Sequence, residues 1–187
     1  DESVWLGTDA LGKPVDVMAE GREFSVVRFL YEKSERNRVG IGYLGTLASG
    51  PQYDAQVHGF DMHYALANGN LSSDLQLIAS DVDGLTGHGG VLDIRYVSSQ
   101  TFQHKLEFDY FDQSVDINDL GFLSRNNYRG AQYVWSYTKP ASGKLNKGTR
   151  GTLVVRHQSN LSAGQVIDSG IYWRQKIELP GRNTFRS

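Results

Sequence analysis

The sequence predicts an all-β protein, an antiparallel meander in which each strand pairs with the next one along the chain. Three observations predict it. Apolar and polar residues alternate in runs of about ten residues, longer than the common globular strand. Ten Tyr, eight Phe and three Trp accompany a mean hydropathy of only -0.43, which suits strands with one apolar face. No segment has the roughly 3.6-residue period of an amphipathic helix.

The predicted strands are separated by turn residues. Alternating runs are expected at 24–33, 38–47, 55–67, 71–80, 91–97, 101–111, 130–138, 152–159 and 170–179. In the clearest run, Phe102, Leu106, Phe108 and Tyr110 alternate with Gln103, Lys105, Glu107 and Asp109. Asn68-Gly69 predicts a tight hairpin turn. A glycine-rich loop is expected at 81–90 and an irregular polar connection at 112–129. About eight to ten strands result, within one domain at 1–187.

Composition narrows the classes of protein. A net charge of -2 and a pI near 6.2 predict no nucleic-acid partner. The absence of Cys excludes disulfides and thiolate sites. No apolar stretch approaches the roughly 18 residues of a membrane-spanning helix, but a barrel strand needs only about 9–11 alternating residues. Because the chain opens on Asp1-Glu2-Ser3-Val4-Trp5, we expect it to be a piece of a longer polypeptide whose remainder is a partner.

The long strands favour an outer-membrane-type β-barrel, complete or partial, over a soluble sheet. The tyrosines of the apolar face would form interfacial girdles against the lipid bilayer: Tyr31, Tyr43, Tyr64, Tyr96, Tyr110 and Tyr137. The opposite face would line a polar lumen with Arg28, Asp61, His63, Arg95 and Glu107. The rival interpretation is a soluble β-sandwich whose exposed aromatics, such as Trp5, Trp135 or Trp173, bind carbohydrate.

One segment is distinctive. Its core is Asp116-Ile117-Asn118-Asp119-Leu120-Gly121-Phe122-Leu123, followed by Arg125-Asn126. This segment, with 37–42 and 59–61, resembles a bacterial family of unknown function. In that family the N-terminal part is similar to a family-nine carbohydrate-binding module, and the long C-terminal part is a predicted outer-membrane-type barrel. The resemblance implies that this chain is part of the barrel, in a Gram-negative outer membrane. It supplies no catalytic residues.

The same segment contains candidate ligands for a metal ion. Asp112, Asp116, Asn118 and Asp119 offer the oxygen atoms that Ca²⁺ prefers. The alternative is that these side chains cap their own backbone. A further hypothesis is that the segment folds inward as a plug or constriction. Asp81-Val82-Asp83-Gly84 resembles the start of a calcium loop, but an ordinary turn is favoured because the later glutamate is missing.

No catalytic motif is present, so the sequence predicts a protein that is not an enzyme and needs no cofactor. Asp61 and His63 share a face and are read as a hydrogen-bonded pair rather than an acid–base pair. The predicted function is an outer-membrane barrel that provides a polar passage or a scaffold for glycan binding or uptake. A soluble carbohydrate-binding sandwich is the alternative.

Overall fold

The computed structural model describes 3–8, 14–19, 21–50, 54–118, 121, 123–141 and 143–187, with backbone alone at 3–8, 14–19 and 182. The strands are β1 Ser3–Thr8, β2 Pro14–Ala19, β3 Glu23–Ser34, β4 Arg38–Ser49, β5 Asp54–Ala65, β6 Leu71–Val82, β7 Leu85–Val97, β8 Phe102–Phe111, β9 Tyr128–Pro140, β10 Gly148–Asn160, β11 Val166–Glu178 and β12 Thr184–Arg186. A 3-10 turn, Pro180–Arg182, precedes β12. No helix of the described residues is long and apolar enough to cross a membrane.

The predicted antiparallel meander is confirmed. Strands β3 to β12 form one ten-stranded sheet in sequence order, and β1 pairs with β2 in a separate hairpin. Each strand packs against the neighbours to which it is hydrogen-bonded. The sheet is not closed, because β3 and β12 are its two edges.

One local expectation was wrong. The predicted loop at 81–90 is mostly strand, because β6 and β7 are joined by a two-residue turn at Asp83 and Gly84. Both residues have positive φ, 53° and 79°, as a tight hairpin turn requires. The glycines of β7 suggested a loop in the sequence, whereas in the structure they are strand residues without a side chain. The hairpin at Ser3–Ala19 was not predicted, since its strands are only six residues long.

The register divides the sheet into an apolar face and a polar face. Partners in adjacent strands share a face, so every strand can be assigned. All six predicted girdle tyrosines lie on the apolar face. It also carries Phe29, Ile41, Phe60, Met62, Leu75, Leu92, Ile94, Phe102, Leu106, Phe108, Trp135, Leu153, Ile171 and Trp173.

Aromatic side chains stack across strands on the apolar face. The Phe102 and Trp135 rings lie 5.6 Å apart between centroids, and Trp135 and Trp173 lie 6.2 Å apart. Two histidines of this face are bonded to tyrosines: Tyr43 Oη lies 2.8 Å from His58 Nδ1, and Tyr133 Oη lies 2.7 Å from His104 Nδ1. These imidazole and phenol groups satisfy one another, which lowers the cost of placing them among apolar groups.

The apolar face is not covered by a second layer of the described residues. Phe60 is 39% exposed and Phe108 is 44% exposed. Ile171 reaches 74%. The buried hydrophobic side chains in the part of the chain that the structure describes are Ala48, Ala55, Phe111 and Val115. The three strand residues among them lie on the polar face. A core of four side chains is far smaller than a globular domain of this length requires.

The two ends of the sheet differ in their connections. The upper end, as we define it, carries the connections 83–84, 112–127 and 161–165. The lower end carries 35–37, 66–70, 98–101 and 141–147. The sixteen-residue connection 112–127, named the inward loop below, is the longest between strands of the sheet.

The free edges are long. All twelve residues of β3 are exposed, and Phe24, Val26 and Leu30 add apolar surface on its polar-face side. At the other edge, β12 pairs with β11 at 176–178, and Ser187 exchanges two further backbone hydrogen bonds with Gln175. Since the meander alternates direction, β3 and β11 run the same way.

Candidate functional site: the polar face and its inward loop

The five residues predicted to line a lumen share one face. The register puts Arg28, Asp61, His63, Arg95 and Glu107 on the polar face of five different strands. The alternation of apolar and polar residues was enough to predict this shared face, because successive side chains of a strand point to opposite faces of the sheet.

A single cross-strand row of polar residues crosses this face. It consists of Glu32, Gly40, His63, Asp74, Asp93, Glu107, Gln132, Arg156 and Gly170. Three carboxylates, those of Asp74, Asp93 and Glu107, are consecutive on β6, β7 and β8. Like charges directly opposite one another destabilise a sheet, so this row needs cations beside it.

Neighbouring groups supply that compensation. Lys105 Nζ lies 2.6 Å from Glu107 Oε1 and 3.3 Å from Asp93 Oδ2. Gln132 donates an amide hydrogen bond to the other oxygen of Glu107. His63 Nδ1 is bonded to Asp74 Oδ1. The carboxylate row is therefore held in place by one lysine, one amide and one imidazole.

His63 does not pair with Asp61, as the sequence had suggested. The two residues are on the same face, but the imidazole is bonded to Asp74 on the adjacent strand. Asp61 instead lies across Gly42, where an added Cβ would overlap its carboxylate. Directly opposed residues on paired strands are closer than residues two apart on one strand, which explains the choice.

A second polar cluster, on β10 and β11, was missed by sequence reasoning. Arg156 Nη2 lies 2.5 Å from Asp168 Oδ2, and its guanidinium carbon lies 5.0 Å from the centre of the Tyr172 ring. The Arg156 Nε is buried without a hydrogen-bond partner. Asp168 fell outside the predicted strand 170–179. Extending the two-residue period back from Tyr172 would have placed it on the polar face.

The inward loop is anchored by Asp112. One carboxylate oxygen accepts backbone hydrogen bonds from Ser114 and Val115, at 2.9 and 2.8 Å. The other oxygen accepts from the backbone N–H of His88, at 2.7 Å. These contacts turn the chain at the end of β8 and tie it to β7. They satisfy donors that the turn would otherwise leave unpaired.

Val115 then seats the loop on the polar face. Its side chain is 1% exposed and is the largest fully buried one among the described residues. Gly87 lies beneath it, and a Cβ at Gly87 would overlap the Val115 backbone. The Asp116 N–H donates to Ser80 Oγ at 3.0 Å, and Asn126 Nδ2 donates to the carbonyl of Val115 at 3.2 Å. The loop therefore folds back over the sheet at its upper end.

The candidate metal ligands mostly accept backbone hydrogen bonds. Asp116 Oδ1 accepts from the N–H of Asn118 at 3.0 Å, and Asn118 Oδ1 accepts from the N–H of Leu123 at 3.1 Å. Asp119 lies outside the described residues. No three His, Cys, Asp or Glu side chains of the described part of the chain are grouped so as to hold a metal ion. Calcium binding here stays a prediction.

The Asp81 and Asp83 carboxylates also accept hydrogen bonds from the backbone. Asp81 Oδ1 accepts from the N–H of Gly84 at 2.9 Å, and Asp83 Oδ1 accepts from the N–H of Asp54 at 3.1 Å. The segment is an ordinary tight turn, as the favoured interpretation had it.

The comparisons with known proteins give a family without a described activity. A family model described as "Domain of unknown function (DUF5916)" matches residues 44–186, well over half of the chain. The match covers the sheet from β4 to β12 and includes the inward loop. Its description names neither a carbohydrate-binding module nor a barrel. The curated proteins and the solved structures give no match.

Replacing Gly87 should unseat the inward loop. We expect Gly87→Leu to expel Val115, because the new side chain needs the volume that the loop backbone fills. Limited proteolysis should then cut within 112–127 at least about ten times faster, since local opening controls cleavage.

The matched control is Gly59→Ala, whose added Cβ meets atoms of Leu44 only at ordinary distances of 3.7 Å or more. Equal cleavage rates for the Gly87→Leu protein and the unaltered chain would show that the loop is not held by this seat.

Proposed function

The chain belongs to the DUF5916 family, and we propose that its sheet forms part or all of the wall of a β-barrel. The barrel is of the outer-membrane type and lies in a bacterial outer membrane. In this proposal the apolar face meets lipid and the polar face lines a passage for small hydrophilic solutes. The inward loop narrows that passage at the upper end. Glycans are the solute class we favour, since hydroxyl groups match a lining of mixed donors and acceptors.

The exposed apolar face is the observation that carries the proposal. Its aromatic and aliphatic side chains form a continuous surface across all strands from β3 to β11. Soluble monomers rarely expose apolar patches beyond a few hundred Å². Lipid is the environment in which such a surface needs no protein cover.

The apolar band also crosses the strands obliquely. The hydrogen-bond row through Tyr31 of β3 reaches β11 at Ser169. On β3 the band is centred between Phe29 and Tyr31, whereas on β11 it lies at Ile171 and Trp173. That is a displacement of about four residues, or about 13 Å, toward the lower end. Strands tilted against a level bilayer produce such a displacement.

Strand length agrees with the same environment. On β8 the apolar side chains extend from Phe102 to Tyr110, nine residues along the strand. A tilted transmembrane β-strand needs about 9–11 residues to cross the hydrocarbon layer. Trp135 and Tyr137 lie beside Phe102 near the lower end, as an interfacial aromatic girdle would.

The soluble sandwich is the second candidate, and the exposed Trp173, at 49%, favours it. A sandwich needs a second sheet packed about 10 Å above the first. The described residues provide no second sheet apart from the two-stranded hairpin β1–β2. The membrane proposal explains the whole apolar face, whereas the sandwich explains a few aromatic residues.

A matched pair of substitutions tests the membrane proposal. Leu92 and Val91 are adjacent on β7, but Leu92 is on the apolar face and Val91 on the polar face. We expect Leu92→Arg to destabilise the protein in lipid vesicles by about 2–4 kcal/mol, the cost of arginine at the bilayer midplane. Val91→Arg should cost far less, because its guanidinium reaches the aqueous side.

The measurement is urea unfolding in vesicles, followed by tryptophan fluorescence, together with the heat-dependent shift in gel mobility that folded barrels give. Equal destabilisation by the two substitutions, or a chain that remains a monomer without detergent, would contradict the proposal and favour the sandwich.

Removing the inward loop tests the passage. We expect deletion of 116–125 to raise the conductance of the protein in planar bilayers, because most of the proposed constriction is gone. Gly87→Leu should raise conductance in the same direction by displacing the loop without shortening the chain. Unchanged conductance in both variants, with Gly59→Ala as the reference, would exclude the loop as a constriction.

A further inference from the structure

Charges on the polar face are sorted along the strands. Most acids lie near the middle, on the row of Glu107 and on the row next to it toward the upper end, which holds Asp61, Asp109 and Asp168. Most bases lie further toward the lower end: Arg38, Arg95, Lys105, Arg150, Arg174 and Lys176. The lower end of this face therefore carries an excess of positive charge.

The positive charge is concentrated around one hollow. A cavity of about 430 Å³ opens between the ends of β9, β10 and β11. The cationic residues that line it are Lys139, Lys147, Arg150 and Lys176. Thr138 contributes a hydroxyl group. We call this hollow the basic mouth.

Two of its cations oppose each other directly. Arg150 and Lys176 are cross-strand partners on β10 and β11, an arrangement that destabilises a sheet when no anion is present. In the middle of the sheet, the equivalent repulsion between carboxylates is offset by Lys105. Among the described residues, neither the Lys147 ammonium nor the Arg150 guanidinium has a carboxylate at ion-pair distance.

Among the described residues, one acid lines the same hollow. Glu178 Oε1 lies 2.9 Å from Lys176 Nζ, and the Arg150 guanidinium, although beyond ion-pair distance, attracts the same carboxylate. The Lys147 N–H also donates to the Glu178 backbone carbonyl at 2.8 Å, which ties Lys147 to the end of β11. The lining keeps a net positive charge after Glu178 is counted.

We propose that the basic mouth binds the phosphate group of a soluble solute between Lys147, Arg150 and Lys176. The guanidinium offers a fork of N–H donors, and the two ammonium groups add point charges on either side. The hollow is on the polar face, so the ligand comes from water rather than from lipid. The site goes beyond the proposed passage and does not require a closed barrel.

The experiment is a calorimetric titration of the detergent-solubilised chain with inorganic phosphate at constant ionic strength set by sodium chloride. We expect saturable binding, weakened about tenfold or more by Arg150→Gln combined with Lys147→Gln, because charge-assisted hydrogen bonds are lost. Glu178→Gln should tighten binding, since it removes a carboxylate from the hollow and frees Lys176. A purely structural role for Glu178 would not give tighter binding.

Lys33→Gln is the control, because Lys33 is an exposed lysine paired with Glu35 at the lower end of β3. It should leave phosphate binding unchanged, and circular dichroism should show the same β signal in every variant. Absence of saturable binding, or an equal loss in the Lys33→Gln protein, would overturn the site. Failure of vesicle insertion would overturn the proposed function alone, and binding retained only in anionic lipid vesicles would contradict a soluble ligand.

Discussion

The backbone register across ten strands is the constraint on which the rest of this structure depends. A shift of one residue in any strand would exchange its apolar and polar side chains between the two faces. The register is fixed by short turns, such as the one in which Gly69, with φ of 71°, donates to the carbonyl of Leu66 at 2.9 Å. The two faces of the whole sheet are thus encoded in a few turn residues and in the two-residue alternation of apolar and polar side chains.

The polar face uses this register to arrange charge rather than to neutralise it residue by residue. Asp74, Asp93 and Glu107 are consecutive in one row, and Lys105 joins two of them from the neighbouring row. At the lower end, Arg150 and Lys176 are opposed, and Glu178 forms its ion pair with Lys176 alone. Acidic and basic zones are separated along the strands, so a charged solute moving along this face would meet one sign and then the other.

The sequence predicted the fold class and the two faces because alternation is a local signal. Tyr31, Tyr137, Arg95 and Glu107 all lie on the faces assigned to them. It could not predict which polar groups pair across strands, as the bond from His63 to Asp74 shows. Pairing depends on register between strands, which alternation within one strand does not contain.

The inward loop shows where local reasoning ends. Asp112, Asp116 and Asn118 accept hydrogen bonds from the nearby backbone, as the alternative to metal binding had it, because short polar side chains do so in irregular segments. The place where the loop packs on the sheet could not be predicted, because Val115 contacts Gly87, which is twenty-eight residues away along the chain. The glycines of β7 looked like a loop signal in the sequence, whereas their role is to leave room for another part of the chain.

The shared direction of β3 and β11 has a consequence for how a ring can form. If β3 and β11 were joined directly, the seam would be the one parallel pair in an otherwise antiparallel sheet. A strand at the position of β12 is antiparallel to both β3 and β11. It restores uniform antiparallel pairing with an even number of strands. The position beside β11 therefore decides whether this sheet can close upon itself, and β12 occupies only the lower part of that position.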